Sequence, residues 1–204
     1  MDLGIEGKVA LVAGASKGLG RAVALGLARE GVSLALCARG EEQLSEAATA
    51  IAEETGATVW TRPTDVSSPE ETRLFVQEAV SHYDTVHILV NNAGGPPSAT
   101  FLELTDDLWQ QAVQLNLLSA IWLARAAVPH MQKVHWGRII NMTSVAVKQP
   151  IEGLMLSNAV RAGVVGFAKT LANELAADNI LVNNVCPGYI LTDRVRELSK
   201  VLAE

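Results

Sequence analysis

The strongest constraint on the fold is a repeated alternation between short apolar runs and longer amphipathic runs. The short runs have the length and β-branched composition of buried strands, and the longer runs have helical periodicity. A strand followed by a helix and another strand needs a crossover, which makes the strands parallel. Strands that are apolar throughout fit this arrangement, because helices cover both faces of such a sheet. We therefore predict an α/β fold with a doubly wound parallel sheet.

The boundaries follow from the same pattern and from helix start and stop signals. Strands are predicted at residues 8–14, 32–39, 57–66, 86–95, 137–144 and 179–188. Helices are predicted at residues 21–31, 41–56, 69–81, 106–131 and 157–177. Ser68 is the expected N-cap of the third helix, with Pro69 in its first turn. No linker or second compositional zone interrupts residues 1–204, so one domain is expected.

Composition narrows the classes of partner. The net charge of −6 provides no basic stripe for nucleic acid and no polybasic patch for anionic lipid. No apolar run approaches the roughly 18 residues of a membrane span, and the first residues lack the pattern of a signal peptide. Cys37 and Cys186 lie far apart in apolar runs, which predicts buried thiols and a cytoplasmic setting. The four histidines have no cysteine or carboxylate cluster beside them, so no metal site is predicted.

A glycine-rich turn joins the first strand to the first helix. Glycine permits a tight turn and lets backbone N–H groups approach a pyrophosphate at a helix N-terminus. The strand before the turn and the helix after it favour a Rossmann-type dinucleotide site over an ordinary loop. The residues concerned are Gly14, Ser16, Lys17, Gly18, Leu19 and Gly20.

The end of the second strand indicates which nucleotide is bound. An acidic residue there would accept a hydrogen bond from the ribose 2′-hydroxyl of NAD, but this chain has Cys37-Ala38-Arg39. Lys17 and Arg39 would both reach the 2′ position and favour a 2′-phosphate. NADP(H) is therefore predicted in preference to NAD(H), with two ordinary solvated cations as the alternative.

Three further motifs follow the glycine turn in order: Asp65-Val66, Asn91-Asn92-Ala93-Gly94 and Pro187-Gly188. With this set the chain resembles the short-chain dehydrogenase/reductase family, and most closely its 3-oxoacyl-acyl-carrier-protein reductase-like members. The resemblance spans residues 8 to about 195. It implies an oxidoreductase that uses a nicotinamide coenzyme.

The resemblance assigns the remaining coenzyme contacts. Asp65 would accept from the adenine amino group beside Val66, although it could instead only cap a turn. Asn92, Ala93 and Gly94 would line the ribose side, although the asparagine pair could instead only tie strands together. The nicotinamide and its carboxamide would be flanked by Pro187, Gly188, Ile190 and Thr192.

The family's catalytic residues are an Asn, a Ser and a Tyr-xxx-Lys pair. The resemblance places Asn116 at the Asn position, where the helix is irregular and holds a water, and Ser144 at the Ser position. Thirteen residues after Ser144 comes Ser157, at the Tyr position, and four later comes Arg161, at the Lys position. Both members of the acid–base pair are therefore predicted to be replaced.

The replacement changes the expected chemistry. A phenol has a pKa near 10, which a neighbouring cation can lower toward physiological pH, whereas an alkyl hydroxyl is a much weaker acid. Arginine keeps its positive charge and can still bond ribose hydroxyls, but it cannot shuttle protons. Ser157 could participate through its hydroxyl or serve only as a helix N-cap.

Two functions remain open on these residues. The first is an NADP(H)-dependent oxidoreductase that acts on a hydrophobic carbonyl or secondary alcohol, with an altered proton path. The second is an NADP(H)-binding protein with little catalysis, such as a redox sensor or a non-catalytic subunit. By family analogy the chain would form a homodimer or homotetramer, and residues 190–204 would begin a substrate lid, with the family's final strand missing from the sequence.

Overall fold

The computed structural model describes residues 2–192, and its sheet has six parallel strands within that range. The strands are β1 (Val9–Ala13), β2 (Ser33–Ala38), β3 (Val59–Pro63), β4 (Ile88–Asn91), β5 (Gly137–Met142) and β6 (Ile180–Val185). The helices are α1 (Gly18–Arg29), α2 (Glu41–Thr55), α3 (Pro69–Tyr83), α4 (Asp106–Ala112), α5 (Ser119–Lys133) and α6 (Met155–Leu175). The predicted fold class is confirmed.

The order of the strands, β3-β2-β1-β4-β5-β6, determines where a ligand can bind. The chain builds outward from β1 to β3, then returns to the other side of β1 with β4. At this switch point the loops after β1 and β4 diverge and leave a crevice at the carboxyl ends of the strands. The glycine turn after β1 and the Asn-Asn-Ala-Gly segment after β4 both lie at that crevice.

Alternate residues of the strands enter two hydrophobic cores, one on each face of the sheet. Leu11 packs on one face with Phe75 of α3, and Val12 packs on the other with Leu44 of α2. Because both faces are covered, the strands need no polar side and read as continuous apolar runs. This packing is the physical origin of the sequence pattern.

The start of α3 agrees with its prediction, and the start of α6 does not. Ser68 accepts a hydrogen bond from the backbone N–H of Glu71 at 3.3 Å, with Pro69 at the first helical position. Helix α6 instead begins at Met155, with Leu154 as its N-cap. The Asn158 side chain sets this start by donating to the Ile151 carbonyl at 2.8 Å. Ser157 therefore lies inside the first turn, and its predicted N-cap role is wrong.

The helix predicted at residues 106–131 is interrupted. A π-helical segment, Val113–Leu118, separates α4 from α5, and the whole stretch ends at Lys133. Taken as one helix, Asp106–Lys133 is long and apolar enough to cross a membrane, contrary to the expectation from apolar run length. Core helices of water-soluble proteins pass the same test, and α5 packs on β4, β5 and α3.

Candidate active site

The glycine turn is closely packed against the loop after β4. Gly14 and Gly18 have φ angles of +61° and +57°, which side-chain-bearing residues rarely adopt. A Cβ on Gly20 would lie 2.2 Å from the Gly14 carbonyl oxygen, and one on Gly14 would lie 2.7 Å from Asn92 Nδ2. At its glycine positions the turn therefore has no room for a side chain and exposes backbone.

Asn92 fixes this turn to the central strands. Its Nδ2 donates to the carbonyl oxygens of Ala13 and Gly14, at 3.1 and 3.2 Å. The next two residues continue along the crevice, and the Gly94 carbonyl accepts from Asn116 Nδ2 at 2.8 Å. Asn92 thus does tie two strand ends together, which was the alternative left open for it.

The N-terminus of α1 is suited to an anion. Lys17 is the N-cap residue, but no side chain caps the helix and no carboxylate lies in its first turn within the described chain. The positive end of the helix dipole and its first N–H groups are therefore not neutralised there. Thr192 approaches this turn, its Cγ2 being 3.7 Å from the Cβ position of Gly18. Ser16 and Leu19 are half-buried in the same turn, and Lys17 is exposed.

The end of β2 carries an exposed cation beside a buried thiol. Arg39 follows β2 directly, and its side chain is exposed to solvent. Burial raises the pKa of Cys37 to about 12, although a hydrogen bond from the Gly14 backbone acts in the opposite direction. Cys37 is therefore a buried neutral thiol, as predicted, whereas Cys186 is only half-buried and the prediction for it is wrong.

Asp65 lies near Arg39 and closes a turn after β3. Its Oδ1 accepts from the Ser67 hydroxyl at 2.7 Å and from the Ser67 backbone N–H at 2.9 Å. Burial tends to raise the pKa of Asp65, but these hydrogen bonds and the charge of Arg39 outweigh it and lower the pKa below its ordinary value. The carboxylate is ionised, and it caps the turn as the alternative interpretation proposed. Val66 beside it is buried.

Ser144 follows β5 in an extended backbone conformation. Its Oγ accepts from the Ala146 N–H at 3.1 Å and caps a single 3₁₀ turn at Val145–Val147. The Val145 N–H donates to the Pro187 carbonyl at 2.9 Å, so the loop after β6 lies beside Ser144. Gly188 and Ile190 are exposed further along this loop.

Asn116 lies in the π-helical segment between α4 and α5, and its side chain is buried. π-bulges are rare and often mark functional sites. Within the described residues, the Oδ1 atoms of Asn116 and Asn91 are buried without a hydrogen-bond partner. Both asparagines line a cavity of about 20 Å³ that Arg161 and Asn141 also line.

The structure brings Arg161 into direct contact with the end of β5. Arg161 is 9% exposed, and its Nη1 donates to the Met142 carbonyl at 2.9 Å. Ser157 is half-buried one helical turn earlier on α6.

Sequence reasoning missed a row of asparagines across the sheet. Asn91, Asn141 and Asn184 are register partners on β4, β5 and β6. Asn91 Nδ2 donates to Asn141 Oδ1 at 2.8 Å, and Asn141 Nδ2 donates to Asn184 Oδ1 at 3.0 Å. An asparagine near the end of each of three strands was the available signal, because buried amides need partners.

The switch-point crevice, the closely packed glycine turn and the helix N-terminus without a side-chain cap are together typical of a dinucleotide-binding protein of the doubly wound class. Residues 8–202 match the family described as short chain dehydrogenase. The chain belongs to this family and is an oxidoreductase of the type that acts on carbonyl and alcohol groups.

Two curated relatives show the same likeness. The chain is 38% identical over 205 residues to a 3-oxoacyl-acyl-carrier-protein reductase of Pseudomonas aeruginosa, covering 99% of this chain and 81% of that protein. It is 33% identical to the corresponding reductase of Aquifex aeolicus, covering 100% of this chain and 82% of that protein.

Solved structures agree with the sequence relatives. L-sorbose reductase from Gluconobacter frateurii, complexed with NADPH and L-sorbose, superposes with a TM-score of 0.96 at 39% identity, covering 100% of this chain and 77% of that one. An NAD⁺-bound xylitol dehydrogenase superposes with a TM-score of 0.93 at 28% identity, covering 98% and 77%. The family thus includes similar folds with either coenzyme.

Proposed function

We propose that this protein is an NADP(H)-dependent oxidoreductase that acts on a hydrophobic carbonyl or secondary alcohol, with Ser157 and Arg161 in place of a tyrosine–lysine pair. The observation that carries the proposal is the glycine turn, where a Cβ at Gly14 or Gly20 would collide with neighbouring backbone or with Asn92. Such a turn lets backbone N–H groups approach a pyrophosphate closely. When bound, the coenzyme supplies or accepts the hydride.

We assign the parts of that coenzyme to the described residues as follows. The amides of Gly14, Gly18 and Gly20 would bind the pyrophosphate, and Asp65 and Val66 would lie at the adenine. Asn92, Ala93 and Gly94 would line the ribose side, beside the turn that Asn92 bonds, and Ser144 would lie at the nicotinamide end. That end would be flanked by Pro187, Gly188, Ile190 and Thr192. The Pro187 carbonyl is hydrogen-bonded beside Ser144, and Thr192 reaches the glycine turn, which supports this path.

The preference for NADP(H) rests on Lys17 and Arg39. Both side chains are exposed, one at the N-cap of α1 and the other at the end of β2. A 2′-phosphate would gain charge-assisted hydrogen bonds from both, whereas no carboxylate follows β2 directly to bind a 2′-hydroxyl. The NADPH bound by the sorbose reductase is a precedent within the family.

The substrate end combines two hydroxyls with apolar walls. Ser144 would donate a hydrogen bond to the substrate oxygen and orient the carbonyl. Val145 and Val147, in the turn that follows Ser144, and Leu154, before α6, are half-buried apolar residues and would favour a hydrophobic substrate. Ser157 cannot readily protonate an alkoxide, so the proton would reach the product through water, with Ser157 as a hydrogen-bonding intermediary.

Asn116 would hold a water in the cavity that it shares with Asn91. The volume of about 20 Å³ exceeds the space that one water needs. A water donates two hydrogen bonds, which matches the two buried amide oxygens without partners in the described chain. Arg161, which lines the same cavity, keeps a permanent positive charge beside that water.

Titration of the purified protein with NADPH and NADH, followed by nicotinamide fluorescence, tests the coenzyme proposal. We expect Lys17→Gln and Arg39→Gln each to weaken NADPH binding about 10-fold and to leave NADH binding nearly unchanged, since each removes one charge-assisted hydrogen bond. Arg73→Gln, at an exposed position on α3, is the matched control. Equal affinity of the native protein for both coenzymes would reject the preference.

A weakly catalytic or inactive coenzyme-binding protein is the second candidate, and the replaced pair at Ser157 and Arg161 favours it. NADPH oxidation against a panel of ketones, aldehydes and quinones separates the two candidates. Turnover of any of them supports the enzyme, and tight NADPH binding with no turnover supports the sensor or the non-catalytic subunit. The double variant Ser157→Tyr/Arg161→Lys should then raise or create activity if the native pair is poor at proton transfer.

We also propose a homo-oligomer, a dimer or tetramer, and a cytoplasmic setting. Trp109 of α4 and Trp122 of α5 remain only half-buried, which leaves apolar surface for a second copy. The two cysteines are free thiols, as expected in a reducing compartment. Light scattering after size-exclusion chromatography would give the mass in solution and reject the oligomer if the mass equals one chain.

A further inference from the structure

The guanidinium of Arg161 is directed at backbone, in the interior of the protein. Its Nη1 donates to the Met142 carbonyl at 2.9 Å and lies 3.4 Å from the Thr143 carbonyl. Arginine is almost never buried unless its donors have acceptors, and here the side chain is 9% exposed. The two carbonyls belong to the last residue of β5 and the residue that follows it.

These carbonyls immediately precede Ser144. The same segment is held on its other side by the loop after β6, since the N–H groups of Thr143 and Val145 donate to Val185 and Pro187 at 2.8 and 2.9 Å. Arg161 binds the same segment from the side of α6. The end of β5 is therefore fixed between β6 and α6 at the position where the chain leaves the sheet.

We propose that Arg161 is a positioning residue, which joins α6 to the end of β5 and so fixes the Ser144 hydroxyl relative to Ser157. Ser157 lies one helical turn before Arg161 on α6. The contact between Arg161 and the end of β5 therefore links the helix that carries Ser157 to the segment that carries Ser144. A single nitrogen, Nη1, reaches both carbonyl oxygens, so the contact depends on the length and rigid planar end of the arginine side chain. The contact stands on the structure alone, and its effect on turnover rests on the proposed function.

Amide hydrogen exchange tests the contact without any need for turnover. In Arg161→Met the N–H groups of Thr143, Val145 and Ala146 should exchange about tenfold faster than in the native protein, because their segment is released on one side. Arg161→Lys should give an intermediate rate, which also covers the case in which Arg161→Met fails to fold. Lys169→Met, at an exposed position on the same helix, should leave these rates unchanged. Exchange in β1 reports any global loss of stability.

A double-variant cycle tests the effect on Ser144. If Arg161 acts through Ser144, Arg161→Lys should lower kcat in the native background but add little in a Ser144→Ala background. NADPH affinity should change by less than about threefold in Arg161→Lys. Unchanged exchange at residues 143–146 with tenfold weaker NADPH binding would overturn the proposal and leave Arg161 as a coenzyme contact only. A protein without turnover would contradict the proposed function, and the exchange result would still decide the positioning role.

Discussion

The substitution Gly20→Ala would test whether the coenzyme half of the proposed site, which is the glycine turn with Asn92, depends on close packing of the backbone. The substitution is favourable by helix propensity alone, because Gly20 lies in the first turn of α1 and alanine gains about 1 kcal/mol over glycine in a helix. The new Cβ, however, would lie 2.2 Å from the Gly14 carbonyl oxygen and 2.7 Å from Asn92 Nδ2. The obstacle at 2.2 Å is backbone, so no side-chain rotation can relieve it.

The magnitude follows from these two opposing effects. Normal van der Waals separation is about 3.5 Å, so the turn and α1 must move apart by roughly 1 Å. Overpacking of this kind costs about 1–3 kcal/mol, and subtracting the helix gain from the upper value leaves a loss of about 2 kcal/mol. For a chain of this length that corresponds to a decrease in Tm of about 4–8 °C. Displacement of the turn should also weaken NADPH binding about 10-fold.

Gly26→Ala is the matched control, because it lies on the same helix and its Cβ would meet nothing within 4 Å. It should raise the free energy of unfolding by about 0.5–1 kcal/mol and leave coenzyme binding unchanged. Thermal unfolding by circular dichroism and nicotinamide fluorescence titration measure the two quantities. If Gly20→Ala were as stable as Gly26→Ala and bound NADPH equally well, the packing argument would be refuted.

Three further substitutions probe other parts of the molecule. Asn141→Leu should reduce the free energy of unfolding in urea by about 1–3 kcal/mol, because buried Asn91 loses its acceptor, whereas Asn183→Leu at an exposed position should change it little. Ser157→Ala should lower kcat about 3- to 10-fold through the loss of one hydrogen bond, and an unchanged kcat would exclude the hydroxyl from the proton path. Burial and the nearby Lys8 lower the pKa of His87 below 6.5, and its Nδ1 accepts from the Val9 N–H in a cluster with Trp136 and Arg138. The unfolded chain therefore binds the proton more readily, so the free energy of unfolding falls as the pH drops below about 6.5. His87→Asn should reduce this dependence on pH when urea unfolding is measured over a range of pH.

Sequence pattern predicted the fold well, because the doubly wound sheet is a direct consequence of hydrophobic periodicity. The central strands β1, β2 and β4 are buried on both faces and the helices cover the sheet, so burial dictates residue type over much of the chain. Boundaries set by local hydrogen bonds were less predictable. The start of α6 depends on the Asn158 side chain bonding Ile151, seven residues away, and no propensity rule places the cap at Leu154.

Within the site, sequence located the backbone elements better than the directions of side chains. The glycine spacing predicted the turn after β1, since glycine is the residue that a positive φ and a close approach require. The direction of Arg161 could not be read from its position on α6, because it depends on carbonyls that β5 provides from 18 and 19 residues earlier in the chain. The row formed by Asn91, Asn141 and Asn184 likewise exists only once strand register is known.

The two halves of the site therefore differ in how a substitution affects them. In the proposed coenzyme half, glycine packing and Asn92 hold the turn after β1, so we expect replacements on α6 to leave the geometry of that turn unchanged. The proposed proton-transfer half consists of side chains, so a replacement there changes both the pKa of the proton donor and the distance that the donor can span. We therefore expect the proposed coenzyme site to tolerate a changed pair at Ser157 and Arg161, because its glycine turn and Asn92 lie on elements other than α6. In the proposed reaction, hydride transfer would depend on positioning by the first half, and the rate of proton delivery would depend on the second.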